Sequence, residues 1–159
     1  MSMPSRLSNY LLHRGASYEL LSHAPSHSSA ETARTAHVIA HCLAKSVILE
    51  DDQGCVMAVV PADVQVDVER LARMLGRHSL HLSDEARIAE LFTDCALGAV
   101  PAIGMAWGMD TVVDDALDAT PEVFFEAGDH EMLLRMTHEQ FRQIMRDAPH
   151  GDFCKAKAH

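Results

Sequence analysis

Residues 44 to 61 read A-K-S-V-I-L-E-D-D-Q-G-C-V-M-A-V-V-P. Two apolar runs rich in β-branched residues flank D-D-Q-G, a turn-forming tetrad. The pattern predicts a β-hairpin with strands at 44–50 and 55–61. The runs do not alternate apolar with polar, so burial on both faces is expected. A hairpin here excludes a strict βα repeat. It points to a mixed sheet or sheet-barrel with flanking helices.

The other segments fit that frame. P-S-R-L-S-N-Y-L-L-H-R at 4–14 reads as a helix stopped at Gly15, and S-Y-E-L-L-S at 17–22 as a short strand. Ser28 followed by Glu31 forms a capping box for a helix over 28–41. The stretch 66–76 is amphipathic and ends in Gly76. A short strand is predicted at 79–83, then a helix to residue 92 capped by Ser83. Short strands are expected at 105–108, 110–115, 122–128 and 131–136, with G-D-H as a turn before the last. Thr137 caps a final helix, and 149–159 reads as a flexible tail.

A chain of 159 residues suits a single domain, 1–159, with a real core. No apolar run approaches a membrane span and no secretory signal is visible, so a cytoplasmic location is expected, with no membrane partner. Cys42, Cys55, Cys95 and Cys154 are widely spaced, which makes buried or idle thiols the expectation. The formal charge of −10 argues against non-specific nucleic-acid binding, DNA included. A local basic rim around one RNA end is still compatible with it.

Candidate chemistry begins with Lys45, which opens an apolar strand with no acid before Glu50. Its ammonium suits the mouth of a pocket, holding a phosphate, a ribose or a carbonyl oxygen. A lysine snorkelling from an edge strand explains it too. A second feature is D-C-A-L-G-A-V-P-A-I-G at 94–104, an apolar loop with two glycines and a proline. Glycine lets a ligand reach main-chain N–H groups, and proline stiffens the bend. A structural turn is the alternative. His37 and His41 share a face on the predicted helix and could begin a metal site, which needs a third ligand. His23, Ser26 and His27 precede a helix N-terminus, a place for anion or hydroxyl contacts. Asp129 and His130 suit acid/base work or a simple turn.

In order along the chain stand the 28–41 helix, A-K-S-V-I-L, the D-D-Q-G hairpin, M-A-V-V-P-A-D, L-F-T-D-C-A-L-G-A-V-P-A-I-G, and V-F-F-E-A-G-D-H-E-M-L-L-R-M. This series resembles the YbaK/prolyl-tRNA synthetase-associated editing domain family over residues 10 to 148. The resemblance implies an α/β (α+β) fold with a mixed, barrel-like sheet surrounded by helices. It implies an aminoacyl-tRNA deacylase that acts in trans, hydrolysing the ester of a mischarged tRNA, and no cofactor. The expected cargo is a small amino acid on tRNA for proline.

On this resemblance Lys45 is the residue needed for activity. The substrate-binding set is Gly98, Ala99, Val100, Pro101, Ala102 and Gly104, with His27, Asp129 and His130. The expected partner is the tRNA acceptor end, with a synthetase or elongation factor as a possible carrier. The chain departs from the family's G-A-V-P-P-F-G at Ala102 and Ile103, which bears on loop rigidity and pocket shape. Two other functions stay open: a weakly active or inactive binding module of the same fold, and a metal-dependent small-molecule hydrolase using His37 and His41.

Overall fold

The structure is a computed structural model that describes residues 3–24, 28–36 and 38–157. Its elements are α1 (Ser5–His13), β1 (Glu19–Ser22), α2 (Ser29–Thr35), β2 (Ala44–Asp51), β3 (Gly54–Pro61), β4 (Val64–Val66), α3 (Val68–Leu75) and β5 (His81–Leu82). There follow α4 (Glu85–Leu91), β6 (Asp110–Asp114), β7 (Glu122–Glu126), β8 (Met132–Thr137), α5 (His138–Ile144), β9 (His150–Gly151) and β10 (Cys154–Ala156). No helix among the described residues is long and apolar enough to cross a membrane.

The predicted hairpin is the centre of the molecule. β2 and β3 pair antiparallel from Ala44↔Pro61 to Asp51↔Gly54. β5 joins β2 antiparallel, while β6 joins β3 and β9 joins β6 in parallel, giving the order β5-β2-β3-β6-β9. β1-β8-β7 forms a second, antiparallel sheet and β10-β4 a third. The fold is therefore mixed α/β, with three separate sheets and no single closed barrel among the described residues.

β3 shows why its sequence lacks alternation. Met57 and Val59 enter a cluster with Leu7 and Leu11 of α1 and Phe141 of α5. Val56, Ala58 and Val60 enter another with Leu71 of α3, Leu80 and Phe153. Successive side chains of a strand point to opposite faces, so a strand with a core on each side needs apolar residues throughout. The Arg77 guanidinium secures the hairpin's tip, donating to Asp51 Oδ2 at 2.5 Å, Asp51 Oδ1 at 2.6 Å and the Gly54 carbonyl at 2.7 Å.

The structure corrects several expectations. α2 ends at Thr35, six residues early, because Val38 packs into a cluster with Leu43 and Phe124, and Ile39 takes extended dihedrals. Asp84, not Ser83, caps α4: its Oδ1 accepts from Arg87 N at 2.8 Å. Residues 105–108 are not a strand. Gly104–Trp107 makes a 3-10 turn closed by Gly108 at φ +68°, and Trp107 Nε1 donates to Asp94 Oδ1 at 2.9 Å.

The expected flexible tail is ordered through its described residues. β10 pairs with β4, Phe153 is fully buried, and its N–H donates to Asp114 Oδ2 at 3.1 Å. Burying that ring contributes ~1.5–3 kcal/mol, which a free tail would forgo.

A single contact places the site. Leu43, just before β2, bridges Phe124 of β7 in parallel. The start of the lysine strand therefore lies beside the middle of β7.

Candidate functional site

A cleft of about 590 Å³ opens where these parts meet. Lys45 and Ser46 of β2, Leu97, Gly98 and Val100 of the loop, and Glu126 of β7 are among its walls. Ile88 of α4 and Ser28, which caps α2 by accepting from Glu31 N at 3.1 Å, also line it. Its volume lies within the range of small-ligand sites.

Three ties fix the glycine-bearing loop. Ser46 Oγ donates to the Val100 carbonyl at 2.9 Å. Ala96 N donates to the Gly128 carbonyl at 2.7 Å. His130 Nε2 donates to the Leu97 carbonyl. The lysine strand, the apolar loop and the A-G-D-H turn thus come together.

Within the loop, Ala99 N bonds to the Ala96 carbonyl at 3.0 Å, and Gly98 sits at φ +83°. That is the turn position at which positive φ calls for glycine. Among the described residues, the Gly98 and Val100 N–H groups have no protein partner. The same holds for Leu97 N, and all three residues line the cleft.

The other predicted loop residues lie behind this surface. Ala99, Pro101, Ala102 and Gly104 are buried and do not line the cleft. Ala102 and Ile103 pack in the main core. A Cβ on Gly104 would lie 2.5 Å from Thr111 Oγ1 and 3.2 Å from Met57 Cβ, so this glycine serves close packing.

The A-G-D-H residues are mainly architectural. Asp129 Oδ1 accepts from Glu131 N at 3.0 Å and Met132 N at 2.9 Å, and so shapes the turn. His130, at φ +64°, reaches the loop carbonyl from there. Neither lines the cleft.

Lys45 is half-buried at the cleft wall. Burial pushes its pKa below the ordinary lysine value, and Lys157 pushes the same way, while Cys154 and Asp63 push back. Among the described residues its ammonium has no hydrogen-bond or ion-pair partner. A partly desolvated cation without a partner is suited to an anionic or carbonyl group of a ligand.

Glu126 was not singled out from the sequence. It is 7% exposed, yet it lines the cleft. Its available signal was a lone acid closing the apolar run V-F-F, on the same strand face as buried Phe124.

Of the predicted histidine pair, His41 alone lies among the described residues. His27 and His37 lie outside the described residues. His41 stands in a 3-10 turn beyond α2, with Nδ1 at 3.1 Å from the Asp63 carboxylate. Among the described residues, one group brings metal-ligand atoms together, Asp115, Asp118 and His150. None of the three lines the cleft.

The profile of the aminoacyl-tRNA editing domain family matches residues 23–144. The chain belongs to this family. The match spans Lys45 and the Gly98 loop, which line the cleft, and the A-G-D-H turn, which holds the loop. Membership places the editing domain among aminoacyl-tRNA deacylases in general, hydrolases whose substrate is an aminoacyl-tRNA.

Solved structures repeat the fold. Hypothetical protein APE2540 superposes with a TM-score of 0.83 at 22% identity, over 95% of this chain and 100% of that one. A candidate trans-editing enzyme for prolyl tRNA synthetase superposes at 0.81 with 21% identity, over 95% and 96% of the two chains. A search of curated protein sequences finds no match.

Proposed function

We propose that this editing domain acts in trans on tRNA for proline, hydrolysing its ester to a wrongly attached small amino acid such as alanine, serine or cysteine. The observation that carries the reading is the Ser46–Val100 bond, which joins the lysine strand to the glycine loop across one cleft.

In this reading Lys45 holds the anionic or ribose end of the acceptor terminus. The N–H groups of Gly98 and Val100 point the ester carbonyl and stabilise the oxyanion as water adds. Water oxygen bonds to the carbonyl carbon, and the C–O bond to the ribose then breaks. The ribose oxygen leaves with a proton, and a neighbouring ribose hydroxyl assists. An ester needs little more than this, because positioning alone supplies much of the rate.

Selection by size fits the apolar walls of Ile48, Ile88, Leu97 and Val100. One methylene changes binding by only ~1–3 kcal/mol, so a second sieve after the synthetase is useful. Burial of Ala102 also favours an active enzyme over an inert binding module. The departure from the family proline lies in the core and leaves the cleft surface alone.

With a formal charge of −10, the domain gains little from non-specific phosphate contacts. Delivery of the tRNA in the cytoplasm by a synthetase or elongation factor fits that balance. The test is deacylation of tRNA for proline carrying alanine, serine, cysteine or proline by the wild-type chain. The reading expects loss of at least one small amino acid with proline spared. Equal hydrolysis of all four would contradict it.

A further inference from the structure

Most arginines of this acidic chain are spoken for. Arg6, Arg70, Arg77, Arg87 and Arg135 each lie against a carboxylate. Arg142, in the last turn of α5, and Arg146, in the turn that follows, do not. Both are exposed, and neither has an ion pair among the described residues. They line a hollow of about 450 Å³ with Asp118, His138 and His150. Arg146 also lines a second hollow of about 190 Å³, together with Arg14, whose guanidinium stacks 5.0 Å over Tyr10. Like charges four residues apart on a helical stretch repel one another, and here no ion pair relieves them.

The acid in the wall of the larger hollow is already taken. His150 Nδ1 donates to Asp118 Oδ2 at 2.9 Å, and Nε2 donates to the Met145 carbonyl at 3.0 Å. With both nitrogens turned to acceptors, the ring has no lone pair for a metal ion, although Asp115 and Asp118 stand beside it. By engaging Asp118, His150 leaves both guanidinium groups unclaimed. The wall consists of charged and polar side chains, without the apolar anchor that the core of a protein interface uses. Two arginine forks with free donors suit phosphate oxygens, which each can grip through two parallel hydrogen bonds.

Sheet register places this patch relative to the cleft. Lys45 pairs with Val60, Val59 with Val113, and Val113 with His150. Three strand spacings, about 15 Å, therefore separate Lys45 from His150 along one end of the central sheet. At about 3.4 Å per stacked nucleotide, a strand that ends at Lys45 reaches the patch after roughly four nucleotides.

We infer that Arg142 and Arg146, with Arg14 beside them, bind phosphodiester groups of the tRNA about four nucleotides from its aminoacylated end. The patch positions the strand and carries no sequence information. It lies outside the cleft. The inference rests on the deacylase reading, which supplies the strand.

The experiment is fluorescence-anisotropy binding of the uncharged transcript of tRNA for proline to the full chain over a range of potassium chloride concentrations. Wild type is compared with Arg142→Gln, Arg146→Gln and Arg73→Gln, three variants of equal net charge. Arg73 is an exposed arginine of α3 and controls for charge alone. Exposed substitutions of this kind disturb folding little. Each patch variant should weaken binding about tenfold at low salt and lower the slope of log affinity against log salt by about one. Arg73→Gln should keep the wild-type slope.

Wild-type binding in both patch variants, the same loss in Arg73→Gln, or no binding of tRNA by the wild type would overturn the inference. Loss of synthetase binding with tRNA binding intact would give the patch to a protein and overturn it too. Hydrolysis is scored separately, on charged tRNA and on the same ester carried by a CCA trinucleotide, which is too short to reach the patch. The patch variants should lose kcat/KM on tRNA and keep it on the trinucleotide. Hydrolysis of tRNA with unchanged binding in the variants sinks the patch alone. A patch-dependent salt slope without hydrolysis of either ester sinks the deacylase reading and leaves the patch standing.

Discussion

Ser46 Oγ donates to the Val100 carbonyl at 2.9 Å, across 54 residues of sequence. The bond ties the residue after Lys45 to the loop that supplies Gly98. The loop's other ties run to Gly128 and His130 and not to the lysine strand.

Replacing Ser46 with alanine should therefore cost little stability, on the order of 1 kcal/mol. Deacylation should fall more than stability, by about tenfold, mainly in kcat, because a loop displaced by a fraction of an ångström no longer points its amides at the oxyanion. Steady-state kinetics beside a urea titration checks the split. An unchanged kcat would remove the bond from the account.

Gly98 occupies φ +83°. An alanine there costs ~1–2 kcal/mol in the left-handed region, or forces the loop into another shape. Gly98→Ala should lose deacylation at least tenfold while the circular dichroism spectrum stays that of the wild type. Full activity would mean that the Gly98 conformation is not used.

Cys95 lies three residues before Gly98 and invites a nucleophile reading. Burial first, then the Asp94 charge, pushes its thiol up to about 12. Almost none of it is thiolate near neutral pH, so it is a poor nucleophile. Cys95→Ala should keep deacylation within about twofold of wild type, and iodoacetamide should inactivate slowly if at all. Rapid inactivation traced to Cys95 by mass spectrometry would contradict this.

Asp51 carries the clearest acid-sensitive contact. Its hydrogen bonds from Arg77, then the bond from Gln53 N, hold its carboxyl below the ordinary range. A depressed folded pKa gives stability that is fully present above the unfolded value of about 3.9. That stability is lost as pH falls through the lower folded value. Asp51→Asn should thus be less stable than wild type at neutral pH, with the gap closing below about pH 4. Urea midpoints at two pH values decide it; a gap that stays constant into acid would contradict the assignment.

The sequence made some of this legible and hid the rest for physical reasons. The β2–β3 hairpin announced itself because its apolar runs and turn tetrad are local signals. Lys45 and Gly98 were visible as a charge in an apolar strand and a glycine in an apolar loop, and the fold brings both to one cleft. Glu126 was not visible, because its burial depends on Thr32 from a helix 94 residues away. Phe153 was hidden likewise. Its neighbours Gly151, Asp152 and Lys155 look like a solvated tail, and only pairing with β4 gives the ring a place. The 28–41 helix was overextended since helical spacing continued past Thr35, where tertiary packing of Val38 prevailed. Of the loop residues, sequence could not tell Gly98, which faces the cleft, from Gly104, which faces Thr111.

The central claim is that Lys45 and the loop form one deacylating site. Its most direct test is single-turnover deacylation of alanyl-, seryl- and cysteinyl-tRNA for proline by wild type and Lys45→Ala, with thermal unfolding of both as the control for folding. The account expects the wild type to hydrolyse at least one of the three, and the variant to be slower by about a hundredfold or more at similar stability. Equal rates in the two proteins, or no hydrolysis of any of the three by the wild type, would contradict it.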